Sequence, residues 1–326
     1  MVLARFLHYI IAMLQQERVE TTFMKLERLL KHATQLKDRT IAVVAAADVE
    51  VLSAISKAIE MNLGKFLLFD DKKEIQTLMD QHFIDLRESK HISIIHSNSI
   101  EQAAELAVKA VQLNEAQVLM KGNIPTAKLL KAVLNKEYGL RTGRVLSHVA
   151  VFDVPHFDRL IFVTDAAMNI RPELEQKGQI IQNAVMVARA IGIEKPKVAA
   201  LAAIEQVNPN MQETLDAAAL TVMNERGQIT DCVVNGPLAL DNAISSFAAK
   251  QKKIQNEVAG QADILLVPEI VTGNVLYKSL MYFANANVAA LVAGAKAPIV
   301  LTSRADRADS KLYSLALALC TSLSHK

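Results

Sequence analysis

Residues 117–134 read QVLMKGNIPTAKLLKAVL. A short apolar run, QVLM at 117–120, stops at Lys121-Gly122-Asn123. A proline follows at 125, and apolar residues then recur at helical spacing to about 136. A run of that length bounded by turn residues reads as a buried strand, and the 3.6-residue recurrence after it as a helix. Gly122 lets the backbone approach a ligand closely. Thr126 or Asn123 can cap the helix, whose free N–H groups attract an anion, and Lys121 adds a point charge. The same residues also describe an ordinary capped strand-to-helix turn. The spacing GxxxxGK[ST] is absent here, and GxGxxG is absent from the chain, which speaks against a P-loop and against a dinucleotide fingerprint.

The strand-to-helix alternation repeats outward in both directions. Further candidate strands are 41–46, 66–69, 92–95, 148–152, 160–164, 198–203, 231–235, 264–267 and 298–302. Candidate helices lie at about 49–62, 72–81, 100–113, 126–136, 173–191, 211–223, 242–258, 273–285 and 308–323. The expected fold class is therefore α/β with mainly parallel sheets whose two faces are both covered. HVAVF at 148–152 and LIFVT at 160–164 differ from the rest. Joined by DVPHFDR, they fit an antiparallel hairpin.

A length of 326 residues suggests two domains. The Gly- and Arg-rich stretch at 138–144 and a second crossing at 285–294 suggest a discontinuous layout. The expectation is a first α/β domain from 24–142 and 290–326 and a second from 143–289. Residues 1–23 carry an apolar run of about a dozen residues, too short to span a bilayer and interrupted by Arg5 and His8. They read as an N-terminal extension upstream of a natural start at Met24, which opens the first ordinary amphipathic pattern; an added helix or a weak membrane-surface segment are the alternatives.

Hydrophobic residues make up 51% of the chain, enough for large cores. The net charge is +2, from 36 basic and 34 acidic residues without a long basic block, so neither nucleic acid nor a membrane is an expected partner. The two cysteines, Cys232 and Cys320, sit in apolar stretches and read as buried free thiols of a cytoplasmic protein. No CxxC or His/Cys cluster marks a metal site.

Ligands of open parallel sheets sit beyond the carboxyl ends of the strands. Three more strand ends carry polar residues. After LIFVT come Asp165 and Asn169 in VTDAAMNIRPEL, with Asp165 able to cap or orient and Pro172 opening a helix. After ILLVP comes TGNVLYKSL, in which Gly273 and Asn274 read as a loop leading into a helix. The last strand ends in PIVLTSRADRADSK, where Ser303 and Arg304 follow the apolar run directly and Asp306 and Asp309 follow them. A guanidinium there can clamp a phosphate with two parallel N–H bonds, which a lysine cannot. The same residues also fit a surface ion-pair cluster capping the last helix.

Taken together, VLMKGNIPTAKLLKAVL, LIFVTDAAMNIRPELEQKGQIIQNAV, VPEIVTGNVLYKSL and PIVLTSRADRADS resemble the phosphate acetyl/butyryltransferase family in order and spacing over residues 24–326. KGN at 121–123, SHVAVFD at 147–153 and SRAD at 303–306 bring the likeness nearer its butyryl branch than its acetyl branch. The resemblance implies two α/β domains with a cleft, an isocitrate/isopropylmalate dehydrogenase-like architecture and a homo-oligomer. It implies reversible transfer of a butyryl or branched short-chain acyl group between coenzyme A and inorganic phosphate. Both are substrates, and no cofactor or metal is expected to be bound. By the same resemblance Ser303 and Arg304 hold the phosphate and the carbonyl, and Lys131 supplies a second cation. The thiol base of the acetyl branch lands on Ser310, which leaves Asp309 as first candidate and Asp306 as second. Asp165 and Asn169 match a DxAxN pattern, and Gly273 and Asn274 a GN pattern.

That chemistry suits the residues. A thiol with a reference pKa near ~8.5 needs a base or a positive field to ionise at neutral pH. A fixed Arg304 with Ser303 would stabilise the charge growing on the carbonyl oxygen, an effect worth about 3–4 kcal/mol per donor. Arg304, Lys131 or Lys121 would face the phosphate. Three alternatives stand beside this reading: acetyl transfer, a metal- and NAD(P)-dependent dehydrogenase on the same architecture, and a ligand-binding protein without turnover.

Overall fold

The computed structural model describes residues 25–36, 38–301 and 308–325. The extension at 1–23 lies outside the described residues, as do Ser303, Arg304 and Asp306. The strands are β1 (Thr40–Val44), β2 (Lys65–Asp70), β3 (Ile92–His96), β4 (Val118–Lys121), β5 (Ser147–Asp153) and β6 (Ile161–Thr164). They continue as β7 (Lys197–Leu201), β8 (Val233–Leu238), β9 (Ile264–Leu266), β10 (Asn287–Ala293) and β11 (Ile299–Val300). All join one sheet in the order β3-β2-β1-β4-β11-β10-β5-β6-β9-β7-β8.

Each flank of that sheet is parallel, β3 to β11 on one side and β6 to β8 on the other. The centre is antiparallel: β10 runs against both β11 and β5, and β5 against β6. The hairpin expected at HVAVF and LIFVT is thus present. One strand was not expected. The sequence NVAALVA at 287–293 reads as a crossing segment, yet it forms β10 and pairs with β5 over seven residues, Asn287↔Asp153 to Ala293↔Ser147.

The helices are α1 (Leu26–Ala33), α2 (Val49–Glu60), α3 (Lys72–His82), α4 (Ile84–Arg87), α5 (Ile100–Gln112) and α6 (Thr126–Val133). After them come α7 (Leu174–Ala190), α8 (Gln212–Glu225), α9 (Leu240–Ile244), α10 (Ser246–Gln251), α11 (Ile270–Tyr282) and α12 (Ala308–Thr321). Several start at a side-chain cap. Asp48 accepts from the N–H groups of Glu50 and Val51, Asp71 from those of Lys73 and Glu74, and Ser99 from that of Gln102. Among the described residues no helix is long and apolar enough to cross a membrane.

Two helices depart from expectation. The single helix expected over 242–258 is α9 and α10, separated at Ser245, whose backbone is extended and whose hydroxyl accepts from the Ala248 N–H. Helix α11 starts at Ile270, three residues early, because Glu269 caps it through the N–H groups of Thr272 and Val271. The Thr272 N–H holds the Glu269 carboxyl below the usual glutamate range.

Side chains from alternate positions of the central strands go to opposite faces. On one face Ala289, Leu291 and Ala293 of β10 and Val149 and Val151 of β5 join a core that runs under both flanks, sealed by α12. On the other face the apolar residues form two separate clusters, one including Val292, the other including Val288 and Phe152. The crossing segments at 138–144 and 285–294 end side by side. Arg141 bridges to Ala295, and the Thr142 hydroxyl donates to the Gly294 carbonyl at 2.5 Å.

Helices α7 and α8 are pinned by a buried ion pair, Lys177 Nζ to Asp216 Oδ2 at 2.6 Å, with the side chains 7% and 12% exposed. Gln212 donates to the second carboxylate oxygen at 2.8 Å. Asp216→Ala strands the Lys177 charge and is expected to lower stability by about 3–5 kcal/mol, while Lys177→Met with Asp216→Leu recovers most of the loss. Urea unfolding of the two variants checks this.

Candidate functional site

The second flank positions the DxAxN loop. Strand β6 ends at Thr164, and Asp165 follows, 2% exposed. Its Oδ1 accepts from the N–H groups of Ala167 and Met168, both at 2.9 Å. Its Oδ2 accepts from the Asn169 backbone N–H at 3.2 Å and from Asn169 Nδ2 at 2.6 Å. Asn169 Nδ2 also donates to the Leu146 carbonyl at 2.8 Å. Four donors converge on one carboxylate, so Asp165 and Asn169 hold the loop in shape.

Helix α11 packs directly on that loop. A Cβ at Gly273 would lie 2.8 Å from the Asp165 carbonyl oxygen and 2.9 Å from Ala166 Cα, so only glycine fits. The GN pattern therefore sits inside the first turns of a helix, which corrects the expected loop. The glycine serves a backbone-to-backbone contact, and Asn274 comes to the helix face that carries Tyr277 and Lys278.

That face lines a cavity of about 180 Å³. Ala166 and Ala167 come from the loop, His148 from β5, Val288 and Ala290 from β10, Leu301 from the end of β11, and Ser310 and Ser314 from α12. Strand β10 pairs with β11 only through Val292 and Ile299, which leaves its edge open beyond that point. There Ser314 takes the place of a strand, accepting the Ala290 N–H at 2.9 Å while its own hydroxyl donates to the Ser310 carbonyl at 2.7 Å. The Tyr277 ring stands edge-on to buried Phe152 at 5.2 Å and tilted to His148 at 5.9 Å. Lys278 Nζ lies 5.5 Å from the Tyr277 ring centroid. Lys278 is the one lysine or arginine lining the cavity among the described residues.

The first flank contributes the KGN turn. The Gly122 N–H donates to the Val44 carbonyl and the Asn123 N–H to the Ala45 carbonyl, both at 2.8 Å. A Cβ at Gly122 would meet those two oxygens at 2.5 and 2.3 Å, so the missing side chain is used against β1. Pro125 stands at the N-cap of α6, and neither Thr126 nor Asn123 caps it. Lys121 is half-buried with its ammonium on the Gly122 carbonyl at 3.2 Å, and Thr126 and Lys131 are exposed. None of Lys121, Gly122, Asn123, Thr126 and Lys131 lines the cavity. Register places Lys121 nearest, because Met120 pairs with Val300 and Lys121 therefore stands beside Leu301.

Ser303, Arg304 and Asp306 lie outside the described residues, but the residues around that segment are informative. Leu301 before it and Ser310 after it both line the cavity. Asp309 is exposed in the first turn of α12. Both thiols are buried, which pushes Cys232 up to about 12 and Cys320 up to about 11. Neither is a nucleophile near neutral pH. Among the described residues no group of three or more His, Cys, Asp or Glu stands where it can hold a metal ion.

Sequence reasoning passed over His148, Tyr277, Lys278, Ser310 as a lining residue, and Ser314. The signal for two of them was present: Asn274, Tyr277 and Lys278 stand at i, i+3 and i+4 and share a helix face.

Known proteins match this geometry and sequence. The family described as "Phosphate acetyl/butaryl transferase" matches residues 79–319. A "Probable phosphate butyryltransferase" of Bacillus subtilis (strain 168) is 58% identical over 299 residues, which is 92% of this chain and 98% of that protein. The crystal structure of a branched-chain phosphotransacylase from Enterococcus faecalis V583 is 35% identical, with a TM-score of 0.77 over 87% of this chain and 99% of that one. A 4-hydroxythreonine-4-phosphate dehydrogenase from Klebsiella pneumoniae shares the fold alone, at 11% identity and a TM-score of 0.55 over 88% of this chain and 100% of that one. The dehydrogenase-like architecture is thus present, and by sequence the chain belongs to the phosphate acetyl/butyryl transferase family.

Proposed function

We propose that the protein transfers a butyryl or branched short-chain acyl group reversibly between coenzyme A and inorganic phosphate, with both as substrates and no bound cofactor. One observation carries the reading: the Leu301 and Ser310 ends of the Ser303-Arg304 segment meet Asn274, Tyr277 and Lys278 around one cavity. In the forward direction a phosphate oxygen attacks the thioester carbonyl carbon. The carbonyl oxygen takes up the negative charge, the C–S bond breaks, and the thiolate leaves with the electron pair and is then protonated. The products are the acyl phosphate and the coenzyme A thiol.

Arg304 and Ser303 stabilise the growing oxyanion, and Lys278 offsets the charge of the phosphate. Asp309, or Asp306 in its place, carries the proton to and from the sulfur. Asp165 takes no part in proton transfer, since its oxygens already accept four hydrogen bonds. Holding both substrates in one cavity supplies much of the rate, because an acyl group on sulfur or phosphate is already activated. Two buried free thiols support a reducing, cytoplasmic setting. Exposed Phe247, Tyr282 and Phe283 support a homo-oligomer.

Purified protein with butyryl-CoA is expected to release free thiol only when phosphate is added. No phosphate-dependent release with any short acyl-CoA would overturn the proposal. Side-by-side rates with acetyl-, butyryl- and isobutyryl-CoA separate the butyryl from the acetyl branch. Nicotinamide reduction in place of thiol release would favour the dehydrogenase reading.

Two substitutions follow from the roles above. Arg304→Ala is expected to lower kcat by about 10²–10³ in a folded protein, judged by thermal unfolding. Lys278→Ala is expected to raise the KM for phosphate by about tenfold, with Lys278→Arg recovering part of it, the size of one charge-assisted contact. Initial rates against phosphate concentration check the second.

A further inference from the structure

The cavity beside α11 is divided by chemistry. His148, Asn274, Lys278, Ser310 and Ser314 are the polar residues of its lining. The apolar part is Ala166, Ala167, Val288, Ala290, Leu301 and the ring of Tyr277. Phosphate and the thioester carbonyl suit the polar residues. Nothing polar in the acyl transfer itself needs the apolar part.

The apolar part is also rigid. Tyr277 cannot swing away without losing Phe152, a fully buried side chain that meets its ring at 5.2 Å and 72°. Val288 and Ala290 stand two apart on β10 and so share a face. That strand is held by β5 on one side and, at the Ala290 N–H, by Ser314 on the other. Ala166 is fixed from beneath by Gly273 and by the Asp165 hydrogen bonds. Three of the six apolar lining residues are alanines, and their small side chains leave the space open. A cavity of about 180 Å³ is close to the roughly 150 Å³ that holds one benzene in an apolar interior. A four-carbon acyl group fits such a space.

We propose that Ala290 and Tyr277 gauge the acyl chain, Ala290 by leaving room for carbons beyond an acetyl group and Tyr277 by ending that room. This inference rests on the acyl-transfer reading and adds to it which residues set chain length. A single methylene in an apolar site is worth about 10- to 200-fold in specificity, so one substitution on each wall gives a readable change.

The experiment measures kcat/KM for acetyl-, butyryl- and hexanoyl-CoA with saturating phosphate. Ala290→Val fills the cavity, and the butyryl-to-acetyl ratio is expected to fall about tenfold or more. Tyr277→Ala enlarges the cavity, and the hexanoyl-to-butyryl ratio is expected to rise by a similar factor. The two variants change the cavity in opposite directions, so loss of folding in one leaves the other decisive. Ratios within about twofold of the parent in every folded variant would overturn the gauge, as would a parent protein that prefers acetyl-CoA to butyryl-CoA by more than about tenfold. Calorimetric binding of butyryl-CoA and acetyl-CoA separates failure of the gauge from failure of acyl transfer. A parent without phosphate-dependent thiol release that binds butyryl-CoA more tightly, and loses that preference in Ala290→Val, keeps the gauge and removes the transfer. Equal binding of both thioesters before and after substitution removes the gauge.

Discussion

The seven-residue antiparallel ladder between β5 and β10 joins two parallel half-sheets that otherwise pair only within themselves. Each half alone is an ordinary run of strands with crossover helices. The ladder turns them into one sheet and sets their register, because a strand of period two cannot slip by one residue without exchanging its faces. Ala289, Leu291 and Ala293 go to the shared core, while Val288 and Ala290 go to the divided face. A one-residue slip would put the core alanines and leucine into the cavity and empty the core at the seam.

The divided face explains where the cavity lies. Two apolar clusters cover that side, one over each half, with the seam between them. The DxAxN loop straddles it: Ala166 belongs to one cluster and Met168 packs against the other. A carboxylate accepting four donors within five residues is a strong local constraint, and Asp165 supplies it where two packing units meet. Both of its oxygens are taken up in that way.

Much of this was legible in the sequence because it is local. Short apolar runs ending in Lys121, Asp165 and Thr302 mark buried strands and their carboxyl ends, where polar residues collect. Strand β10 was not legible, since NVAALVA is rich in alanine, follows a helix and leads into Gly294, and its strand character comes from β5. The start of α11 was missed for a related reason. Glycine is a poor helix former, so TGN reads as a turn, yet a close backbone approach outweighs about 1 kcal/mol of helix propensity. The expected helix from 273 already holds Asn274, Tyr277 and Lys278 at i, i+3 and i+4 on one face, but it does not show what that face meets. The lining of the cavity depends on that helix phase and on β10 together, so no single segment contains it.

Small residues at the seam have two consequences that follow from one cause. Gly273 lets α11 settle onto the Asp165–Ala166 backbone, and Gly122 lets the KGN turn settle against β1. Close backbone contacts of this kind need no side chain, so they fix the elements without filling the space between them. The alanines at 166, 167 and 290 continue the pattern into the cavity wall, where a larger residue would occupy the volume directly. The seam is therefore held by main chain and ladder hydrogen bonds while its interior stays open. This separates the residues that hold the halves together from those that set the size of what enters between them. A change at Gly273 acts through the fold, whereas a change at Ala290 acts on the space itself.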